Sequence, residues 1–336
     1  MAGNFSANDR LILAAVNVGA STLSLAGSAF IVLCYALFKE LRKFSFKLVF
    51  FLALSDMFCS FFNIVGDPTK GFFCYAQGYS THFFCVASFL WTTAIAFTLH
   101  RTVVRHKTDV EDLGPVFHLY VWGTALVMTV IQSIGNDYGR VGAWCWTQTA
   151  GQTGKACHNL SFHAADFRII FSKWSEIVVQ LITFYTPLWG AILFNGFTYF
   201  QVIRMLNNAT RMAVGMSDQP NQSDTRADMK ALNRWGYYPL ILIGSWAFGT
   251  INRIHDFIEP NHKIFWLSFL DVGMAALMGL FNSIAYGLNA SVRRAICERL
   301  DLWWPERFRK WLPSFIKYRS RQQESELVYV KIEDQQ

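Results

Sequence analysis

The spacing of the apolar residues constrains this chain most. They fall in seven blocks of about twenty, each long enough to carry an α-helix through about 30 Å of hydrocarbon at 1.5 Å per residue. The blocks cover about 11–38, 46–65, 72–104, 116–134, 177–205, 235–257 and 264–288. The runs are continuous rather than alternating, which argues against a spanning β-barrel. Only 16% of the residues are charged, against roughly 25% in soluble domains. That deficit excludes a soluble enzyme, a disordered chain, a collagen-like chain and a disulfide-stapled miniprotein. The expected fold is an all-α membrane protein, a seven-transmembrane helix bundle.

Charge placement orients the bundle. The formal net charge is +7, but the cations gather in alternate loops and the tail, so they serve the positive-inside bias rather than a nucleic-acid partner. With the N-terminus outside, the inner segments hold Lys39, Arg42, Lys43 and Lys47, then Arg101, Arg105 and Lys107, then Arg204 through Arg234, then the tail. The outer segments are poor in Lys and Arg. The chain therefore reads N-out and C-in. The polar start has no basic region or small-residue cleavage site, so the first span is expected to act as its own insertion signal.

Four regions follow: an extracellular start at 1–10, the spanning domain at 11–288, an interfacial helix at 289–302 and a cytosolic tail at 303–336. In Ala290–Leu302 the apolar Val292, Ala295, Ile296 and Leu300 oppose Arg293, Arg294 and Arg299. That pattern fits a short amphipathic helix on the inner leaflet, in contact with membrane lipids; a solvated basic tail is the alternative.

Few polar residues fall inside the spans, and such residues usually face the bundle interior. Asp56 sits mid-span in the second block. Asn282 and Tyr286 lie towards the inner end of the seventh, at a depth where Asn282 could meet Asp56 directly or through water. The pair reads as a packing network or as a polar hub that rearranges when the bundle switches. Arg101, after His100, closes the third block. Counting from Cys74 gives about 40 Å of helix, which places Arg101 at the inner interface. There it could pin the third helix to the sixth, touch a cytosolic partner, or simply snorkel.

The outer half of the sixth block is polar, with Arg253, His255 and Asp256. Arg253 and Asp271 each lie about 10–12 Å inside the outer edge. They allow either an Arg253–Asp271 pair in a ligand pocket, with His82, His255 and Asp256 nearby and Arg253 as an anion-binding group, or a local Arg253–Asp256 contact at i, i+3. His82 and His255 lie towards one side of the membrane and His100 and His118 towards the other, so no metal site is read. No cofactor is implied either: a retinal protein would need a lysine deep in the seventh helix, where Lys263 lies only at the mouth. A small-solute transporter is a rival reading, but no internal repeat or matched broken helices support it.

Among seven cysteines, Cys74 and Cys145 have compatible outer positions for a disulfide. Cys157 rivals Cys145 as a partner. Cys85 lies about 16 Å deeper than Cys74, and Cys34 and Cys59 read as packed thiols. Cys297 is a candidate for palmitoylation. Of the Asn-x-Ser/Thr sites, only Asn4 and Asn159 face outwards in this topology and could be glycosylated.

Taken together, Leu52-Ala53-x-x-Asp56, Arg101, Trp122 and Asn282-x-x-x-Tyr286 resemble a G-protein-coupled receptor. The strings KELRKFSFKLVF (39–50), GFFCYAQGY (71–79), WCWTQ (144–148), RWGYYPLILIGSWAFGTINRIHDFIEP (234–260) and GLFNSIAYG (279–287) are similar to plant receptor-like proteins related to the slime-mould cyclic-AMP receptors. The resemblance implies a plasma-membrane receptor that passes an extracellular signal, from an unknown ligand, to a heterotrimeric G protein α subunit. It also implies a Cys74–Cys145 disulfide, a G-protein-facing Arg101 and an Asn282–Tyr286 activation pair. This chain departs from the pattern in three places. His100 stands where an acid usually pairs with the arginine, Ser283 stands where a proline usually kinks the seventh helix, and Trp246 lacks its usual CWxP setting. The segment Cys157–Gln180 looks inserted, as an extended outer loop from alternative splicing or a retained intron.

Overall fold

The computed structural model describes residues 5–65, 71–107, 109–133, 136–141, 144–149, 178–216, 238–259 and 262–287, together with Val292 and Ile296. The chain divides into two compact units, Met1–Gly287 and Leu288–Gln336. The second is represented only by Val292 and Ile296, both helical, with Val292 buried. The rest of the expected interfacial helix, including Cys297, lies outside the described residues, as do Asn4, Cys157 and Asn159.

The first unit is a helix bundle. Its helices are α1 (Ala7–Leu37), α2 (Phe44–Val65), α3 (Gly71–Val103), α4 (Glu111–Ser133), α5 (Thr186–Met216), α6 (Tyr238–Ile258) and the two halves of the seventh span, α7 (Phe265–Ala276) and α8 (Met278–Asn282). Among the described residues, five helices are long and apolar enough to cross a membrane, or six if α7 and α8 make one bent span. The remaining helix, α6, has 21 residues but is less apolar, because Asn252, Arg253, His255 and Asp256 crowd one end. Large apolar side chains such as Leu11, Phe72, Leu119, Leu193 and Trp266 point outwards, where lipid solvates them.

Local chemistry explains how the elements begin and bend. At the start of α1, the Asp9 N–H donates to Ser6 Oγ at 3.1 Å and the Ser6 N–H donates to Asp9 Oδ2 at 3.0 Å. This reciprocal box satisfies two otherwise orphaned amides. The buried stripe of α1, Asn17, Ser21, Ser24 and Ser28 with Leu13, Ile31 and Cys34, is rich in small side chains. Small residues let helix backbones approach closely where no hydrophobic force drives association. That stripe meets Gly279 of α8. A Cβ on Gly279 would lie 2.8 Å from Ser24 Oγ and 3.0 Å from Asp56 Cβ.

The seventh span bends by 44° between α7 and α8, although proline is absent. The bend falls at Leu277. Just beyond it the Leu280 N–H donates to Ser24 Oγ at 2.9 Å. A side chain inserted into the ladder is a recognised cause of a kink. The π-helical turn Ser283–Gly287 follows at once. Replacing proline with Ser283 therefore does not straighten the helix.

The centre of the bundle is α3, whose most apolar window is 72% buried, against 28% for α1. Residues Cys85–Ala94 are buried on every side, as expected of a helix apolar all round. Trp91 stacks on Phe51 of α2 at 5.2 Å and meets His118 and Trp122 of α4 edge-on. Trp122 Nε1 in turn donates to His118 Nδ1 at 3.1 Å.

One departure from all-helical structure is a hairpin, β1 (Asn136–Val141) with β2 (Trp144–Thr149), in register at Arg140 opposite Cys145. Sequence reading treats this stretch only as a loop. Cys145 on β2 is disulfide-bonded to Cys74 near the start of α3, with a Cα–Cα separation of 5.2 Å. The Cys145 N–H donates to Gln77 Oε1 at 3.0 Å. The Cys74 pairing with Cys145, rather than its rival, is thus the one formed.

Candidate functional site

The polar residues that the spans carry inwards form two clusters, one buried and one partly exposed, with a cavity between them. The deeper cluster centres on Asp56 of α2, 2% exposed. Ser88 Oγ of α3 donates to Asp56 Oδ1 at 2.5 Å, and Asn282 Nδ2 of α8 donates to Asp56 Oδ2 at 2.9 Å. One carboxylate thereby joins three helices, each bond charge-assisted in a water-poor interior. The direct Asp56–Asn282 contact anticipated from matching depths is present. Tyr286 lies in the π-helical turn just beyond, and its side chain is outside the described residues.

The second cluster lies towards the hairpin end of α6 and α7. Arg253 Nη1 is 3.6 Å from Asp256 Oδ2, one turn along the same helix. Arg253 also hydrogen-bonds Tyr185, in the π-helical turn Leu181–Tyr185 that leads into α5. Asp271 of α7 accepts instead from Asn252 Nδ2 at 3.0 Å. Of the two pairings open to Arg253, the local one is formed. Asp271 lies over Gly249, where a Cβ would come within 2.7 Å of its Oδ1.

A cavity of about 70 Å³ runs between the clusters, bordered by Asp56, Cys59, Cys85, Trp246, Arg253 and Asp271. At roughly 10–15 Å³ per water centre it has room for about five waters. Trp246 helps to form its wall, meeting Phe184 edge-on at 4.8 Å while its Nε1 donates to Met278 Sδ at 3.2 Å.

Three residues expected around a pocket sit elsewhere. His82 is buried between α3 and α4, with Nδ1 3.0 Å from Thr129 Oγ1, and does not border the cavity. His255 faces Glu259 at 3.9 Å, and Asp256 serves Arg253; neither lines the cavity. His255, Glu259 and His262 bring their ligand atoms within 4.8 Å of one another. Sequence reading missed this grouping because it compared only histidines at matched depths. Here the second histidine comes from the turn after α6. Glu259 and His262 are exposed and 3.9 Å apart, and exposed groupings of this kind are common without a metal.

At the other end of α3, Arg101 Nη2 pairs with Asp109 Oδ2 at 3.2 Å. Of the roles left open for Arg101, the structure shows none as such: its partner is a residue on the loop to α4. The acid missing beside Arg101 is thus supplied eight positions later. His100 Nε2 lies 2.6 Å from Gln201 Oε1 of α5, so its ring donates across the two helices. A cleft of about 770 Å³ opens here between α3 and α5, bordered by His100, Arg101, Arg105, Lys107, Gln201 and Arg204.

The architecture is that of a seven-helix membrane bundle: squid rhodopsin shares the fold with a TM-score of 0.63 at 14% identity, over 91% of this chain and 93% of that one. The chain belongs to the slime mold cyclic AMP receptor family, whose model matches residues 5–300. It is 70% identical to G-protein coupled receptor 1 of Arabidopsis thaliana over 341 residues, 99% of this chain and 98% of that protein. It is 26% identical to Cyclic AMP receptor-like protein A of Dictyostelium discoideum, over 80% of this chain and 62% of that one. The protein is therefore a multi-pass membrane protein of a receptor family.

Proposed function

We propose that the protein is a plasma-membrane receptor that passes an extracellular signal to a heterotrimeric G protein α subunit. The observation that carries this reading is the single cavity joining the Arg253–Asp271 cluster to the Asp56–Asn282 hub. A ligand entering from the hairpin end would meet Arg253, Tyr185 and Asp271. Any shift of α6 or α7 there acts on Trp246 and Met278, then on α8 and the hub. At the far end, Arg101, Arg105, Lys107 and Arg204 supply a basic cleft suited to an acidic or carboxylate-bearing cytosolic segment, with Asp109 holding Arg101 until it is displaced. The positive-inside distribution of Lys and Arg supports this orientation, and glycan occupancy at Asn4 and Asn159 tests it independently.

The ligand class follows from charge. Arg253 faces Asp256 and shares the cavity with Asp271, so one cation stands among two carboxylates. An anion would have to displace a resident carboxylate, whereas a small polar or cationic molecule can exchange hydrogen bonds with the cluster directly. The decisive experiment is energy transfer between the tagged receptor and Gα in living cells, alongside solute uptake into vesicles. Association with Gα that Arg101→Ala lowers at least tenfold is the expected result. Solute uptake with no Gα association would replace this reading with a transporter.

A further inference from the structure

The helices that build the hub also bring two thiols together. Cys59 lies three residues beyond Asp56 on α2, and Cys85 three residues before Ser88 on α3. The two helices run antiparallel, so the offset that sets Ser88 on Asp56 sets Cys85 Sγ 2.7 Å from Cys59 Sγ. Both side chains are buried, both border the cavity, and Asn63 Nδ2 lies 3.8 Å from Cys59 Sγ. Cys34, the other free buried cysteine described, is on α1 and borders no part of the cavity. A disulfide needs its sulfurs about 2.05 Å apart, a further approach of about 0.7 Å that small side-chain rotations can supply.

We propose that Cys59 and Cys85 are an oxidisable pair that forms a second disulfide inside the bundle, with a hydroperoxide small enough to enter the cavity as the oxidant. One sulfur attacks the outer peroxide oxygen, the O–O bond breaks, and the released alkoxide or hydroxide takes up the thiol proton. The resulting sulfenic acid is then attacked by the second sulfur. The S–S bond forms, the S–O bond breaks, and the departing hydroxide leaves as water with the second thiol proton. Two thiols are oxidised by two electrons and one peroxide is reduced. Contact between the sulfurs favours the second step over further oxidation. The bond would cross-link α2 to α3 one turn from the Asp56–Ser88 contact, holding that contact in register. This inference does not rest on the signalling role.

The test uses the full-length protein in native membranes. After hydrogen peroxide treatment, remaining thiols are blocked with N-ethylmaleimide under denaturation, and unreduced peptides are mapped by mass spectrometry. The expected result is a joined pair of peptides carrying Cys59 and Cys85, lighter by two hydrogens and separated by dithiothreitol, with Cys34 alkylated throughout. In Cys85→Ala, no joined peptide carrying Cys59 should appear, and Cys59 should return alkylated or as its sulfenic or sulfinic acid; the wild-type map stands by itself if that variant does not fold. Recovery of Cys59 and Cys85 as alkylated, unjoined peptides at a peroxide dose that oxidises exposed methionines overturns the proposal. So does joining of Cys59 to any other cysteine.

Discussion

The two polar clusters are built differently although both lie in the bundle. The Asp56 hub uses residues from α2, α3 and α8, far apart in sequence, and each hydrogen bond ties one helix to another. The Arg253 cluster keeps its ion pair within one turn of α6, with side chains about a quarter exposed. A contact that spans helices depends on the whole bundle being in place. A contact within one turn forms wherever that helix forms. The hub should therefore report on global packing, and the Arg253 cluster on the chemistry at the hairpin end.

Asp56→Ala breaks the comparison most severely. It leaves Ser88 and Asn282 buried without their acceptor, and hydrogen bonds to a charged group are worth about 1.5–3 kcal/mol each. Thermal denaturation of the purified protein should show a loss of about 3–6 kcal/mol. An unchanged melting temperature would show that the hub carries no packing energy.

Two glycines sharpen the contrast by pairing one substitution with two settings. At Gly279 a new methyl meets Ser24 Oγ, Ser28 Oγ at 2.9 Å and the stem of Asp56. The short serines and the Asp56 Cβ have little room to retreat, so Gly279→Ala should cost about 1–3 kcal/mol by overpacking. At Gly249 the one atom nearer than van der Waals contact is Asp271 Oδ1 at 2.7 Å, with Trp246 Cε3 at 3.8 Å, and the carboxyl group can rotate away. Gly249→Ala should cost less than about 1 kcal/mol while altering ligand response. Equal losses of stability at the two positions would break the distinction between them.

The smallest effects on stability belong to the local ion pairs. Asp256→Asn should change it by about 0.2–0.5 kcal/mol, the range for an i, i+3 pair on a helix, with its larger effect on ligand dose–response. Asp109 is 58% exposed, so Asp109→Asn should shift the melting curve by less than about 0.5 kcal/mol. It frees Arg101, and ligand-independent Gα association should rise severalfold in the energy-transfer assay. Unchanged basal association would mean that Asp109 does not restrain Arg101.

Most of the helices could be read from the linear chain because a span depends on about twenty neighbouring residues whose transfer energies simply add. The polar half of α6 dilutes that sum, which is why it is the hardest span to recognise by composition even though the helix is present. Asp56 and Asn282 were legible as a pair because both are rare residues at matched depth. Ser88 and Tyr185 were not, since serine and tyrosine carry no comparable signal without a known partner, and Asn252 is overshadowed by the neighbouring Arg253, which reads as the residue facing Asp271. His82 misled because depth along a helix says nothing about which way the helix is turned.

The amino-acid sequence by itself determined that this chain is a membrane-spanning helical bundle, and its local patterns marked which residues were out of place in lipid. Only the tertiary structure decided that Arg253 takes Asp256 while Asp271 takes Asn252, that Arg101 finds Asp109, that the seventh span bends against Ser24 without a proline, and that a hairpin carries Cys145 to Cys74. Spanning is a sum over neighbours in one segment. Partnering depends on the rotation and register of helices far apart in the chain, and those are set only when the bundle packs.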